Sequence, residues 1–162
     1  MKKIKEYLLK NNDKAKINSK EIVDGDIFIS LPGKKSHGNK YISDAIKNGA
    51  KYVLTEKKEK KNQYNKKIVI VKNVESFLTD IAVTKRKLFK GKVIGLTGSV
   101  GKTSVKENLK YILSSYFKVS ASIKSYNNQL GVLLTLLNID LKSKFAIFEI
   151  GTNNFFEIRK LT

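Results

Sequence analysis

The chain has 162 residues, 41% of them apolar, which suits one medium domain or two small ones and excludes wholesale disorder. It has no cysteine, so disulfide frameworks and thiolate metal sites are excluded. The formal charge of +19 raises nucleic acid as a partner, but lysine is spread along the whole chain and only Arg86 and Arg159 are arginines. That distribution lacks the arginines and interleaved aromatics of a nucleic-acid groove, so the charge reads as compositional bias and no nucleic-acid partner is expected.

No apolar stretch is long and charge-free enough for a membrane span. The opening MKKIKEYLLKNNDK begins with lysines, but its apolar part is too short and interrupted for a signal peptide, which leaves a cytoplasmic address as the expectation. In chain order, the segment up to Lys10 reads as a short helix, and residues 26–31 alternate as a strand that Pro32-Gly33 ends. Residues 41–47 carry Tyr41, Ile42, Ala45 and Ile46 at helical spacing, with Gly49 as a C-cap. Residues 51–55 and 68–71 read as strands, and the lysine run between them, residues 57–67, as a solvated connection. Residues 74–89 form a helix with Phe77, Leu78, Ile81 and Ala82 on one face. A boundary falls near Lys90-Gly91, giving two parts, residues 1–88 and 89–162.

The second part opens with the most informative run, strand 92–96 followed by Thr97-Gly98-Ser99-Val100-Gly101-Lys102-Thr103-Ser104 and a helix over 102–117. Strand, glycine loop and helix in that order make a phosphate-binding loop. The glycines permit close backbone approach, successive N–H groups converge on an anion, and the helix N-terminus adds positive potential. Lys102 would reach the outer phosphates and Thr103 the accompanying magnesium ion. Leu96 stands where the longer G-x-x-x-x-G-K-[ST] pattern has glycine, so only the shorter T-G-x-x-G-K-[ST]-[ST] form is complete. A strand at 118–121, a helix at 128–138 that Asn128 suits as N-cap, and a strand at 145–150 follow. Phe145-Ala146-Ile147-Phe148 is continuously apolar, as a buried parallel strand should be, and Glu149 at its carboxyl end is a natural magnesium ligand. The fold class is therefore α/β: a small substrate-binding unit followed by the beginning of a parallel-sheet ATPase domain.

Residues 97–107, then Tyr126-Asn127-Asn128-Gln129-Leu130-Gly131, then Glu149-Ile150-Gly151-Thr152-Asn153 with Glu157-Ile158, resemble the Mur ligases. Asn18-Ser19-Lys20, Gly25-Asp26-Ile27-Phe28-Ile29, Gly33 and Gly49-Ala50 are similar to the first-domain pattern of that family, so the resemblance covers nearly the whole chain. It implies ATP and Mg2+ as cofactors and ATP-dependent amide formation in peptidoglycan precursor synthesis. The Lys106-Glu107 pair and the Asn-Asn segment favour UDP-N-acetylmuramoyl-tripeptide and D-alanyl-D-alanine as substrates over addition of the third amino acid. By the same resemblance, residues 97–104 bind the ATP phosphates, with Lys102 as the catalytic contact. Thr103 would hold one magnesium ion and Glu149 a second, with Asn127 and Asn128 nearby. Ser19 and Lys20 would hold the uridine end of the substrate.

Several positions depart from the family pattern. Lys20 replaces arginine, Ser125 asparagine and Leu133 proline, and Asn154 and Phe156 replace histidine and glycine. His37, in Ser36-His37-Gly38-Asn39, reads as a loop residue and not as a general base. The chain stops partway through the ATP-binding domain of that pattern. The expectation is an N-terminal portion, monomeric and inactive alone, because the dipeptide site lies beyond Thr162. The competing readings are a different phosphate-loop NTPase, which needs a further acidic strand, and a basic nucleic-acid-binding protein.

Overall fold

The computed structural model describes residues 1–33, 37–57, 66–123 and 127–151. Two compact units divide the chain, Met1–Ile81 and Ala82–Thr162. Most of the lysine run at 57–67, and the positions Ser36, Ser125, Tyr126, Thr152, Asn153, Asn154, Phe156, Glu157 and Ile158, lie outside the described residues.

The first unit contains helix α1 (Lys2–Lys10) and strands β1 (Ala15–Lys16), β2 (Ile27–Ile29), β3 (Tyr52–Thr55) and β4 (Ile68–Ile70), with helix α2 (Ile42–Lys47) between β2 and β3. The sheet runs β1-β2-β3-β4, every pairing parallel. Residues 26–31 shorten to a three-residue strand, all of it buried, and the flanking Asp26 carbonyl and Ser30 N–H still pair with the Lys51 N–H and the Leu54 carbonyl. The helix expected at 41–47 starts one turn earlier as a 3-10 turn over Gly38–Tyr41. Gly49 follows the cap residue Asn48 with φ +106, the left-handed geometry that ends helices. Phe28, Ile42, Ala45, Ala50 and Val53 pack into one core with Ile22. Strand β1 carried no sequence signal, since two residues are too few to show a period.

Helix α3 (Val74–Leu88) begins in the first unit and ends in the second. Val74, Leu78, Ile81 and Ala82 form its buried face, while Phe77 is half-buried. The second unit then runs β5 (Lys92–Leu96), α4 (Lys102–Ser114), β6 (Val119–Ala121), α5 (Gln129–Asn138) and β7 (Phe145–Glu149). Its sheet order is β5-β7-β6, again all parallel, so the last strand is the central one. That position explains the apolar run of β7, whose residues 146–149 are all buried. Helix α4 stops at Ser114, three residues short of the expected end, because a turn at residues 115–117 leads directly into β6. Phe89, Val132, Ile139, Ala146, Phe148 and Ile150 form the core between sheet and helix α5.

Candidate nucleotide-binding site

Strand β5 ends at Leu96 and α4 begins at Lys102, so residues 97–101 make the whole turn. Gly101, the cap of α4, has φ +78, and a Cβ built there meets nothing within 4 Å. Backbone conformation, not space, is what asks for glycine at that position. The first turn of α4 holds no acidic residue, which leaves its positive end uncompensated within the helix. Lys102 folds back so that its Nζ donates to the Gly98 carbonyl. Val100 at the tip is 89% exposed, so the loop opens to solvent.

Across the sheet edge from the loop stands Glu149. The parallel register pairs Leu96 with Glu149, which brings the carboxylate beside the loop despite the sequence between them. Glu149 is buried. Its Oε2 accepts from Thr103 Oγ1 at 2.9 Å and its Oε1 accepts from Asn127 Nδ2 at 3.1 Å. Its backbone N–H donates to Ser122 Oγ at 2.9 Å. Lys106, fully buried, places Nζ 3.8 Å from Oε2. A buried carboxylate survives only with such partners. Asn127 is itself fixed by its carbonyl, which accepts from Gly151 N–H at 2.7 Å. Asn128 caps α5 by accepting from Gly131 N–H at 2.8 Å, the role its residue type suggests.

Thr103 and Glu149 were expected to serve separate magnesium ions; here their oxygens are hydrogen bonded. A spacing of 2.9 Å also matches neighbouring vertices of an octahedron with metal–oxygen distances of about 2.1 Å. Among the described residues no group of three or more His, Cys, Asp or Glu could hold a metal. The donor set, one hydroxyl and one carboxylate oxygen, fits a hard cation that takes its other ligands from water and phosphate, which is the habit of Mg2+.

Two members of this cluster carry no assignment in the sequence reading. Lys106 stood there only as part of a family-like pair, although its spacing of three from Thr103 and four from Lys102 puts all three on one helix face. Ser122 carried no signal at all, and only the sheet order brings it under Glu149.

In the first unit, Ser19 and Lys20 lie in a 3-10 turn just beyond the carboxyl end of β1. Ser19 is buried and its carbonyl accepts from Asn48 Nδ2, while the backbone N–H of Lys20 donates to Asn18 Oδ1. Because the sheet is parallel, the ends of β2 and β3 share that edge. There Ser30 and Thr55, both buried, donate to Asn39 Oδ1. His37 caps the turn that carries Asn39, accepting its N–H at Nδ1. Sequence reading placed His37 in a loop but missed Ser30, Asn39 and Thr55, which are scattered along the chain. Separately, an apolar hollow of about 200 Å³ lies against Val93, Gly95, Val132, Leu136 and Phe148 of the second unit. It contains none of the loop residues.

Two family models cover this arrangement. Residues 15–86 match the Mur ligase family, catalytic domain, and residues 96–162 match the Mur ligase middle domain. The chain belongs to the Mur ligase family. It is 42% identical over 151 residues to the UDP-N-acetylmuramoyl-tripeptide–D-alanyl-D-alanine ligase of Rickettsia prowazekii, covering 93% of this chain and 33% of that protein. The ligase of the same name from Buchnera aphidicola (subspecies Acyrthosiphon pisum) is 36% identical, covering 88% of this chain and 30% of that protein. Among solved structures, MurF ligase from Thermotoga maritima in complex with ADP superposes with a TM-score of 0.69 at 29% identity, covering 96% of this chain and 36% of that one. MurF from Acinetobacter baumannii gives a TM-score of 0.73 at 28% identity, over 91% of this chain and 32% of that one. The chain thus spans about a third of the length of these Mur ligases. No helix among the described residues is long and apolar enough to cross a membrane.

Proposed function

We propose that this Mur ligase chain carries the nucleotide-phosphate site and the uridine-nucleotide end of an ATP-dependent ligase that joins D-alanyl-D-alanine to UDP-N-acetylmuramoyl-tripeptide. The observation that supports it most is the pairing of Glu149 with Thr103 at the mouth of the glycine loop. In this reading the N–H groups of residues 97–104 and the α4 N-terminus cradle the β- and γ-phosphates, and Lys102 leaves the Gly98 carbonyl to contact them. Thr103 and Glu149 hold one magnesium ion, which on binding supplies charge neutralisation at the phosphates. Asn127 keeps the carboxylate aimed at the loop. Residues 1–88 form the substrate domain, with Ser19, Lys20 and the polar cluster at Ser30, Asn39 and Thr55 along its binding edge. Residues 89–162 begin the ATP-binding domain.

The reaction assigned to the whole ligase has two steps. The tripeptide carboxylate oxygen bonds to the γ-phosphorus and ADP leaves. The D-alanyl-D-alanine amine then bonds to the acyl carbon and phosphate leaves. This chain's contribution is to bind and orient the phosphates and the nucleotide-sugar. Cytoplasmic location and a monomeric state belong to the same reading, and its relatives' names support the substrates.

Calorimetry tests it directly. Mg-ADP should bind the folded chain, and Lys102→Ala should weaken that binding about 10- to 100-fold, the loss of one charge-assisted phosphate contact. UDP-N-acetylmuramoyl-tripeptide should bind independently of Lys102. Mg-ADP binding without nucleotide-sugar binding would favour a different phosphate-loop NTPase.

A further inference from the structure

Lys106 is a lysine with no exposed surface, on the helix face that also bears Lys102 and Thr103. Its Nζ lies 3.8 Å from Glu149 Oε2 and 3.1 Å from Glu107 Oε1. The two carboxylates differ sharply, since the Glu149 side chain is 1% exposed and that of Glu107 is 53% exposed. Solvent screens the exposed Glu107, while the buried Glu149 is screened far less. Thr103 and Asn127 supply neutral donors to Glu149. Among the described residues in contact with it, Lys106 is the one that supplies a full opposite charge. A Coulomb attraction between buried charges is far stronger than at the surface, and deleting one partner leaves the other uncompensated.

We infer that Lys106 is a positioning residue for Glu149: its ammonium is the resident counter-charge that holds the carboxylate against Thr103 before any cation arrives. The 3.8 Å separation is longer than a hydrogen bond. The lysine therefore balances the charge without consuming the lone pairs that face the loop. A second consequence concerns selectivity. With Lys106 beside the carboxylate, a free divalent cation meets a positive charge already in place. A cation that arrives already bound to a polyphosphate brings the negative charge that offsets it. Lys106 thus disfavours the bare ion and favours the metal–nucleotide complex. The inference rests on the reading of residues 97–104 as a phosphate site only for that second consequence.

The test is a double-mutant cycle on the 162-residue chain, using Lys106→Met, which keeps the stem and removes the charge, and Glu149→Gln, which keeps the shape. Thermal unfolding without ligand is the first readout. K106M should lower the midpoint by several degrees in the parent chain and much less in the E149Q background. If K106M alone fails to fold, recovery of folding in K106M/E149Q gives the same answer. The second readout is binding of Mn2+ alone, followed by its electron paramagnetic resonance signal. K106M, or K106Q if K106M does not fold, should bind free Mn2+ at least about tenfold more tightly than the parent, since a neighbouring buried cation has been removed. Equal thermal losses in both backgrounds, or free Mn2+ affinity no higher than in the parent, overturn the inference. Neither readout uses nucleotide or ligase activity, so failure of the phosphate-site reading would show instead as absent Mg-ADP binding in the parent chain, and failure of the ligase reading as absent binding of UDP-N-acetylmuramoyl-tripeptide.

Discussion

At the scale of single residues, the glycines separate two kinds of constraint. Gly101 sits in the loop with φ +78 and open space around it. Gly101→Ala should cost about 1 kcal/mol, the price of left-handed backbone for an L-residue. Gly91 lies outside the loop, yet a Cβ there would come within 2.4 Å of the Phe89 ring, 2.6 Å of the Ser143 carbonyl and 2.7 Å of the Lys144 carbonyl. Two of those atoms are backbone, which cannot step aside cheaply. Gly91→Ala should therefore destabilise the second unit by several times more than Gly101→Ala, as measured by urea unfolding. A motif marks chemistry; it does not mark the glycine the fold can least spare.

At the scale of elements, α3 and α5 are joined by a buried lysine. Lys85, 1% exposed, donates from Nζ to the Leu137 carbonyl at 2.7 Å in the last turn of α5. It satisfies a carbonyl that the helix end leaves open. Burial pushes its pKa down from 10.5 to about 8, with Asp140 partly offsetting the shift. The folded state then gives up its proton at lower pH than the unfolded chain does. Below about pH 8 the penalty is fully present, about 3 kcal/mol, and it disappears as pH rises toward 10.5. Between pH 7.5 and 9.5 the parent chain should gain about 2 kcal/mol relative to Lys85→Met. Urea titrations of both proteins at the two pH values measure this, and the difference removes the titration of the other lysines and the tyrosines. A constant gap between parent and variant would show that Lys85 keeps an ordinary affinity for its proton.

At the scale of the whole molecule, the two units have separate cores. Phe28 packs with Ile42, Ala45 and Val53 in the first, and Phe148 with Phe89, Val132 and Ile139 in the second. Truncating either phenylalanine to alanine should cost its own unit about 3–5 kcal/mol. Hydrogen exchange resolves where that loss is felt. Phe28→Ala should accelerate exchange at β2 and β3 and leave β5 and β7 protected, and Phe148→Ala should do the reverse. Loss of protection in both units from either substitution would mean that the two cores unfold as one.

The sequence by itself determined what depends on near neighbours. Alternating apolar runs and helical spacing located β2, β3, β5 and β7 and helices α2 to α5 within a few residues. The glycine loop, the Asn128 cap and the carboxylate after an apolar strand were legible for the same reason: caps, turns and periods are encoded within a few positions. The family likeness added roles to these residues but no distances. Only the tertiary structure decided the sheet order β5-β7-β6, which sets Glu149 beside Leu96 and therefore against Thr103. It alone showed that Lys106 is buried, that Ser122 underpins Glu149, and that Ser30, Asn39 and Thr55 meet at one edge. These facts arise from contacts between residues far apart in the chain, where strand pairing and the exclusion of water, and not local pattern, fix what touches what.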